Sequence, residues 1–131
     1  MKRTYLMGLI GAVSLLVAPS SRAAADAWTS FFTVDELINA GPSGPVSYFY
    51  VKSNSGNFAG ANNPANCTDG LYAQLSPTVT DPATRDLTAK TLLSAYLSGT
   101  KVSLLMRGGN CSGSGTSGYP QYTSIRLDND P

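Results

Sequence analysis

The chain has 131 residues, with nine Lys or Arg against eight Asp or Glu and no histidine. Lacking histidine, it has no Ser-His or Cys-His nucleophile pair and is without the commonest general base, which leans away from catalysis. The length leaves room for one domain behind a leader.

Lys2 and Arg3, an apolar run from Leu6 to Ala18 and small residues after Pro19 follow the layout of a secretory signal. The run is 13 residues long, short of the roughly 20 that a bilayer requires, so no membrane span is expected. Ser21-Arg22-Ala23 and Ala23-Ala24-Ala25 both fit a small-x-small cleavage rule, placing the mature start at Ala24 or Asp26, with Asp26 preferred. Residues 1–25 are thus read as the signal peptide and 26–131 as a single domain, secreted or periplasmic. Removing the leader takes away Lys2, Arg3 and Arg22 and leaves six basic residues against eight acidic ones. No basic run survives, which excludes a nucleic-acid footprint.

Cys67 and Cys111 are the only cysteines, and in an oxidising compartment they are expected to pair. The first element in the mature chain is a strand over 32–38: Phe32, Val34, Glu36 and Ile38 alternate with Thr33, Asp35 and Leu37, although Val34, Leu37 and Ile38 would also suit a short helix. In strand geometry Asp35 and Glu36 point to opposite faces. Gly41-Pro42-Ser43-Gly44-Pro45 predicts a turn. Val46 to Lys52, rich in aromatic and β-branched residues, predicts the second strand. After a polar loop from Asn57 to Asp69, Gly70 to Ser76 predicts the third, with Leu71, Ala73 and Leu75 on one face.

A helix follows. Asp81 suits the N-cap and Pro82 the first helical position; Ala89, Leu92, Leu93, Tyr96 and Leu97 form one apolar stripe; Gly99 supplies the left-handed stop. Val102 to Met106 predicts a fourth strand ended by Gly108-Gly109, the glycine-rich stretch 108–118 a flexible loop, and Gln121 to Asp128 a fifth strand before a frayed tail.

The resulting fold class is all-β with one helix, in the order β-β-β-α-β-β. That is the order of the OB-fold, a five-stranded Greek-key barrel. In such a barrel the start of the third strand and the turn between the fourth and fifth share one end, which would bring Cys67 and Cys111 together.

Ala27-Trp28-Thr29, Ser47-Tyr48-Phe49-Tyr50-Val51-Lys52, the stretch Ala95 to Val102 and Gly118-Tyr119-Pro120 resemble the B subunits of subtilase-type bacterial AB toxins. The resemblance implies an OB-fold that assembles into a homo-pentamer and binds cell-surface glycans without catalysis. It places Thr33, after Phe32, where the family has a sugar-contacting hydroxyl. Met106 stands where the family contributes an aromatic residue, and Tyr50 where it tends to have a cysteine.

For ligand binding the residues themselves offer aromatics with a polar tip, which stack on sugars or anchor interfaces. Tyr119 and Tyr122, beside the glycine-rich loop, are expected to be exposed; Tyr48, Tyr72 and Tyr96 are expected to pack. Lys52 could meet the carboxylate of an acidic sugar. The candidate ligand-binding set is therefore Thr33, Lys52, Tyr119 and Tyr122, with no metal and no cofactor implied. The other reading of a stable secreted scaffold with variable loops is a protein-binding domain, an inhibitor or structural accessory protein.

Overall fold

The computed structural model describes residues 24–42 and 47–128. The expected signal peptide through residue 23, the centre of the turn at 43–46 and the tail from 129 lie outside the described residues, as does the side chain of Tyr48.

Six strands and one α-helix form in the order β1 (Ala27–Trp28), β2 (Val34–Pro42), β3 (Ser47–Ser53), β4 (Ala73–Leu75), α1 (Pro82–Ser98), β5 (Val102–Cys111) and β6 (Pro120–Leu127). They build one sheet with neighbours in the order β1-β5-β6-β4-β3-β2. All pairs are antiparallel except β4 with β6. The domain is mostly sheet with one helix, as expected, and Cys67 is bonded to Cys111, with their Cα atoms 5.7 Å apart.

The closed five-stranded barrel is corrected: the sheet has six strands, is mixed, and is open, with β1 and β2 at its ends. The cause lies in the chain between those two strands. Ala27 and Trp28 pair with Met106 and Leu105 on β5, and Phe32 makes an isolated bridge to Val102. Between them Thr29, 2% exposed, turns inward, its Oγ1 accepting from the Leu104 N–H at 3.0 Å while Ser103 Oγ donates to its carbonyl at 2.6 Å. A side chain placed in the ladder interrupts it. The edge of β5 is therefore taken by a two-residue strand and one bridge, where a closed barrel would need the continuous length of β2.

The core gathers Phe32, Val34, Val51, Ala73, Leu75, Val102, Leu104, Met106 and Tyr122 from the sheet with Leu92 and Ala95 from the helix. Phe58, from the loop before β4, closes it edge-on to Phe32 at 5.5 Å between ring centroids.

Helix α1 starts and stops where its caps dictate. The Asp81 carboxylate accepts from the Thr84 N–H at 2.8 Å, which satisfies one first-turn donor, and Gly99 ends the helix at φ 71°. The helix packs against β2 and β6, but its expected apolar stripe is only half used. Leu92 and Ala95 are buried, whereas Leu93, Tyr96 and Leu97 are 50%, 45% and 75% exposed. A helix resting on one sheet face buries a single row of side chains, and the row beside it stays in solvent.

Candidate functional site

The parallel pairing of β4 with β6 creates the most distinctive surface of the domain. Its register sets Gln74 level with Gln121 and Leu75 level with Tyr122, so the residues two places earlier, Tyr72 and Tyr119, come side by side. Tyr50 on β3 is opposite Gln74 in the antiparallel ladder and leans onto the same place. The three rings form a triangle with centroid separations of 5.4 Å (Tyr50–Tyr119), 6.1 Å (Tyr72–Tyr119) and 6.4 Å (Tyr50–Tyr72), each pair edge to face. That is the favoured aromatic geometry. All three are half-buried, so each keeps part of its surface open to solvent.

Carboxylates and one amine rim the triangle. Tyr72 Oη donates to Glu36 Oε2 at 3.0 Å. Lys52 Nζ lies 3.2 Å from Asp35 Oδ2 and 3.9 Å from Glu36 Oε2. Both acids reach the same amine, although neighbours in a regular strand would point apart, because the β2–β3 register shifts between Val34 and Glu36. A bulge adds a residue without adding a step of alternation, and so re-aims the side chains. The Asp35 carboxylate, helped by Glu36, holds the Lys52 ammonium above its ordinary pKa. Hydrogen bonding to Glu36 raises the Tyr72 phenol, and the Asp69 charge raises that of Tyr119. Among the described residues no three His, Cys, Asp or Glu side chains are grouped to hold a metal.

Of the residues expected to bind ligand, Lys52 and Tyr119 are brought into this patch, linked through Tyr72. Thr33 stands at the same end of the β2–β3 pair, two residues before Asp35, but its own bonds run to Asn54: its N–H donates to Asn54 Oδ1 at 3.1 Å and its carbonyl accepts from Asn54 N at 3.0 Å. Tyr122 is a correction. It is fully buried, opposite Leu75 and Met106, and its hydroxyl has no partner among the described residues; burial pushes its pKa far above the ordinary tyrosine value. It lines the core and presents no face to a ligand. Met106 is likewise fully buried. Tyr96, expected to pack, is exposed, and Tyr72, also expected to pack, is half open in the triangle.

The sequence reading missed Tyr50, Tyr72, Glu36 and Asp69 as parts of one surface. They lie at positions 36, 50, 69 and 72, up to 83 residues from Tyr119, and strand pairing, β2 with β3, β3 with β4 and β4 with β6, unites them. Two adjoining grooves lie elsewhere, between α1 and the β2–β3 pair. One, of about 360 Å³, is lined by Asn39, Phe49, Arg85 and Asp86, and the other, of about 310 Å³, by Leu37, Phe49, Lys90 and Leu93. The described helix is not long and apolar enough to cross a membrane. Compared with models of known protein families and with curated proteins, the sequence matches none.

Proposed function

We propose that the domain is an exported, non-catalytic glycan-binding module that uses the tyrosine triangle as its contact surface. The observation that carries this reading is the half-open cluster of Tyr50, Tyr72 and Tyr119 rimmed by the polar groups of Glu36, Asp69 and Lys52. A sugar offers one apolar C–H face and several hydroxyls, and the patch supplies rings for the first and acceptors for the second. The strand neighbours β2-β3-β4-β6-β5, with the parallel contact between β4 and β6, support an OB-like ancestry for the sheet. Kinship with subtilase-type toxin B subunits, and assembly into a ring of five, belong to the same proposal.

Binding of the purified mature protein to an array of glycans tests it. The Tyr119→Ala variant should lose about fivefold or more in affinity through the missing ring. Thr33→Ala should cost about 1 kcal/mol if its hydroxyl reaches the ligand. An array with no bound glycan would sink the proposal. One observation favours the second reading, a protein-binding domain: Leu87, Leu93 and Leu97 leave a row of aliphatic side chains 66%, 50% and 75% exposed on α1. Capture of a protein partner that Leu93→Lys abolishes, with an empty glycan array, would establish that alternative.

A further inference from the structure

A second patch is built from different strands. Arg126 on β6 lays its guanidinium over two rings, 4.7 Å from the Trp28 centroid on β1 and 5.0 Å from that of Phe31 in the segment leading to β2. Trp28 and Phe31 are 39% and 40% exposed, and Arg126 is exposed as well. Among the described residues no carboxylate lies within ion-pairing distance of Arg126; the ion pairs found there involve Lys52 and Lys90.

Stacking has a definite consequence for an arginine. Attraction to ring faces uses the positive charge of the guanidinium and none of its N–H bonds to a carboxylate, so donors are left for another partner. Two rings restrict the position of the group, so the fork loses less freedom when it meets a planar anion. A carboxylate matches the fork with two parallel hydrogen bonds. The neighbouring exposed rings of Trp28 and Phe31 supply apolar surface of the kind on which a sugar ring rests.

We infer that Arg126, with Trp28 and Phe31, forms a second glycan-contacting site, specific for a carboxylate-bearing sugar such as a uronic acid. The sugar class rests on the glycan reading of the domain; the requirement for an acid rests on Arg126 alone. The contrast with the tyrosine triangle is one of charge. That triangle has three carboxylates near it, Asp35, Glu36 and Asp69, against the one amine of Lys52, which Asp35 and Glu36 already engage. The expected meeting of Lys52 with an acidic sugar thus gives way to Arg126, which among the described residues has no carboxylate within ion-pairing distance.

The test uses the mature protein and two probes, a uronic-acid-terminated oligosaccharide and the same oligosaccharide with its carboxyl group reduced to the alcohol, titrated by calorimetry. The acid should bind about tenfold more tightly than its reduced counterpart, the size expected for a charge-assisted hydrogen-bonded pair. Arg126→Gln should erase that difference, Arg126→Lys should keep only part of it, and Tyr119→Ala should leave it unchanged. A purely structural brace would lower the unfolding midpoint of the Arg126 variants without touching the preference for acid. Equal binding of the two probes to the wild type would overturn the inference and leave the glycan reading standing, and this comparison holds even if an Arg126 variant fails to fold. Persistence of the difference in Arg126→Gln, or its loss in Tyr119→Ala, would assign the acid to another site and also overturn it. Failure of both probes to bind would overturn the second site, whereas the glycan reading falls only with an empty array.

Discussion

Replacing both half-cystines, Cys67→Ser with Cys111→Ser, should remove a large share of the stability of this domain. The bond joins positions 44 apart, and the chain-entropy model gives about 4 kcal/mol for closing such a loop in the unfolded ensemble. The sites are 6% and 7% exposed, so a serine hydroxyl left unpaired at either would add about 1 to 3 kcal/mol of cost. Against a typical net stability of about 5 to 15 kcal/mol, the double variant should sit close to its unfolding midpoint at body temperature. Equilibrium urea denaturation reads the effect, with a somewhat larger m value expected as the uncrosslinked unfolded chain exposes more surface. A drop below about 1 kcal/mol would refute the reasoning and show that the loop is held by its backbone bonds, Thr68 N to Thr116 O and Asp69 N to Gly118 O. The crosslink also bears on function. Cys67 lies two residues before Asp69, the carboxylate beside Tyr119, so reduction should loosen the tyrosine triangle, and weaken the glycan binding proposed for it, before the sheet melts.

In the core, Leu92→Ala removes a fully buried side chain and should cost about 2 to 5 kcal/mol, while Leu97→Ala, at 75% exposure, should stay within about 0.5 kcal/mol; equal effects in urea denaturation would contradict the placement of α1. Asp81→Ala should lower the unfolding midpoint by removing the cap on Thr84. Because hydrogen bonds from Thr84 hold the Asp81 carboxyl below its ordinary pKa, its contribution is present above the unfolded value and disappears as pH falls through the lower folded one; a variant and wild type that differ equally at pH 7 and pH 2 would refute this. Tyr72 and Tyr119 have raised pKa values, so the stability they add is complete below the unfolded tyrosine value of about 10 and is lost as pH rises through the folded values. Ultraviolet titration should show these phenols ionising later than in the urea-unfolded chain; coincident curves would count against the bond from Tyr72 to Glu36 and the nearness of the Asp69 charge to Tyr119.

What could be read from sequence was what is encoded locally. Asp81, Pro82 and Gly99 mark the ends of α1 because caps act within one turn, and the disulfide followed from there being only two cysteines in a chain read as exported. The sheet was legible as strands and illegible as partners. β5 runs on through Gly108 and Gly109 to Cys111 because pairing with Pro120 supports it, and tertiary pairing outweighs the weak strand preference of glycine. β1 is two residues long and has no period to detect. Tyr119 and Tyr122 looked alike beside a flexible loop, yet β6 starts between them. Tyr122 is then in register with Leu75 and Met106 inside the core, and Tyr119 is left at the rim.

The bulge in β2 had the largest functional consequence of anything the sequence concealed. Regular alternation would have sent Asp35 and Glu36 to opposite faces and left Lys52 with one neighbour. The shift between Val34 and Glu36 gathers both acids on the amine, and Glu36 also takes the Tyr72 hydroxyl. An approaching anion would meet carboxylates on the rim and would compete with them for Lys52. A neutral sugar meets no such opposition, since its hydroxyls donate to carboxylate oxygens as readily as the Tyr72 phenol does. The irregularity in β2 therefore sets the sign of the tyrosine surface, and the acid recognition proposed above is left to Arg126, whose partners among the described residues are the rings of Trp28 and Phe31.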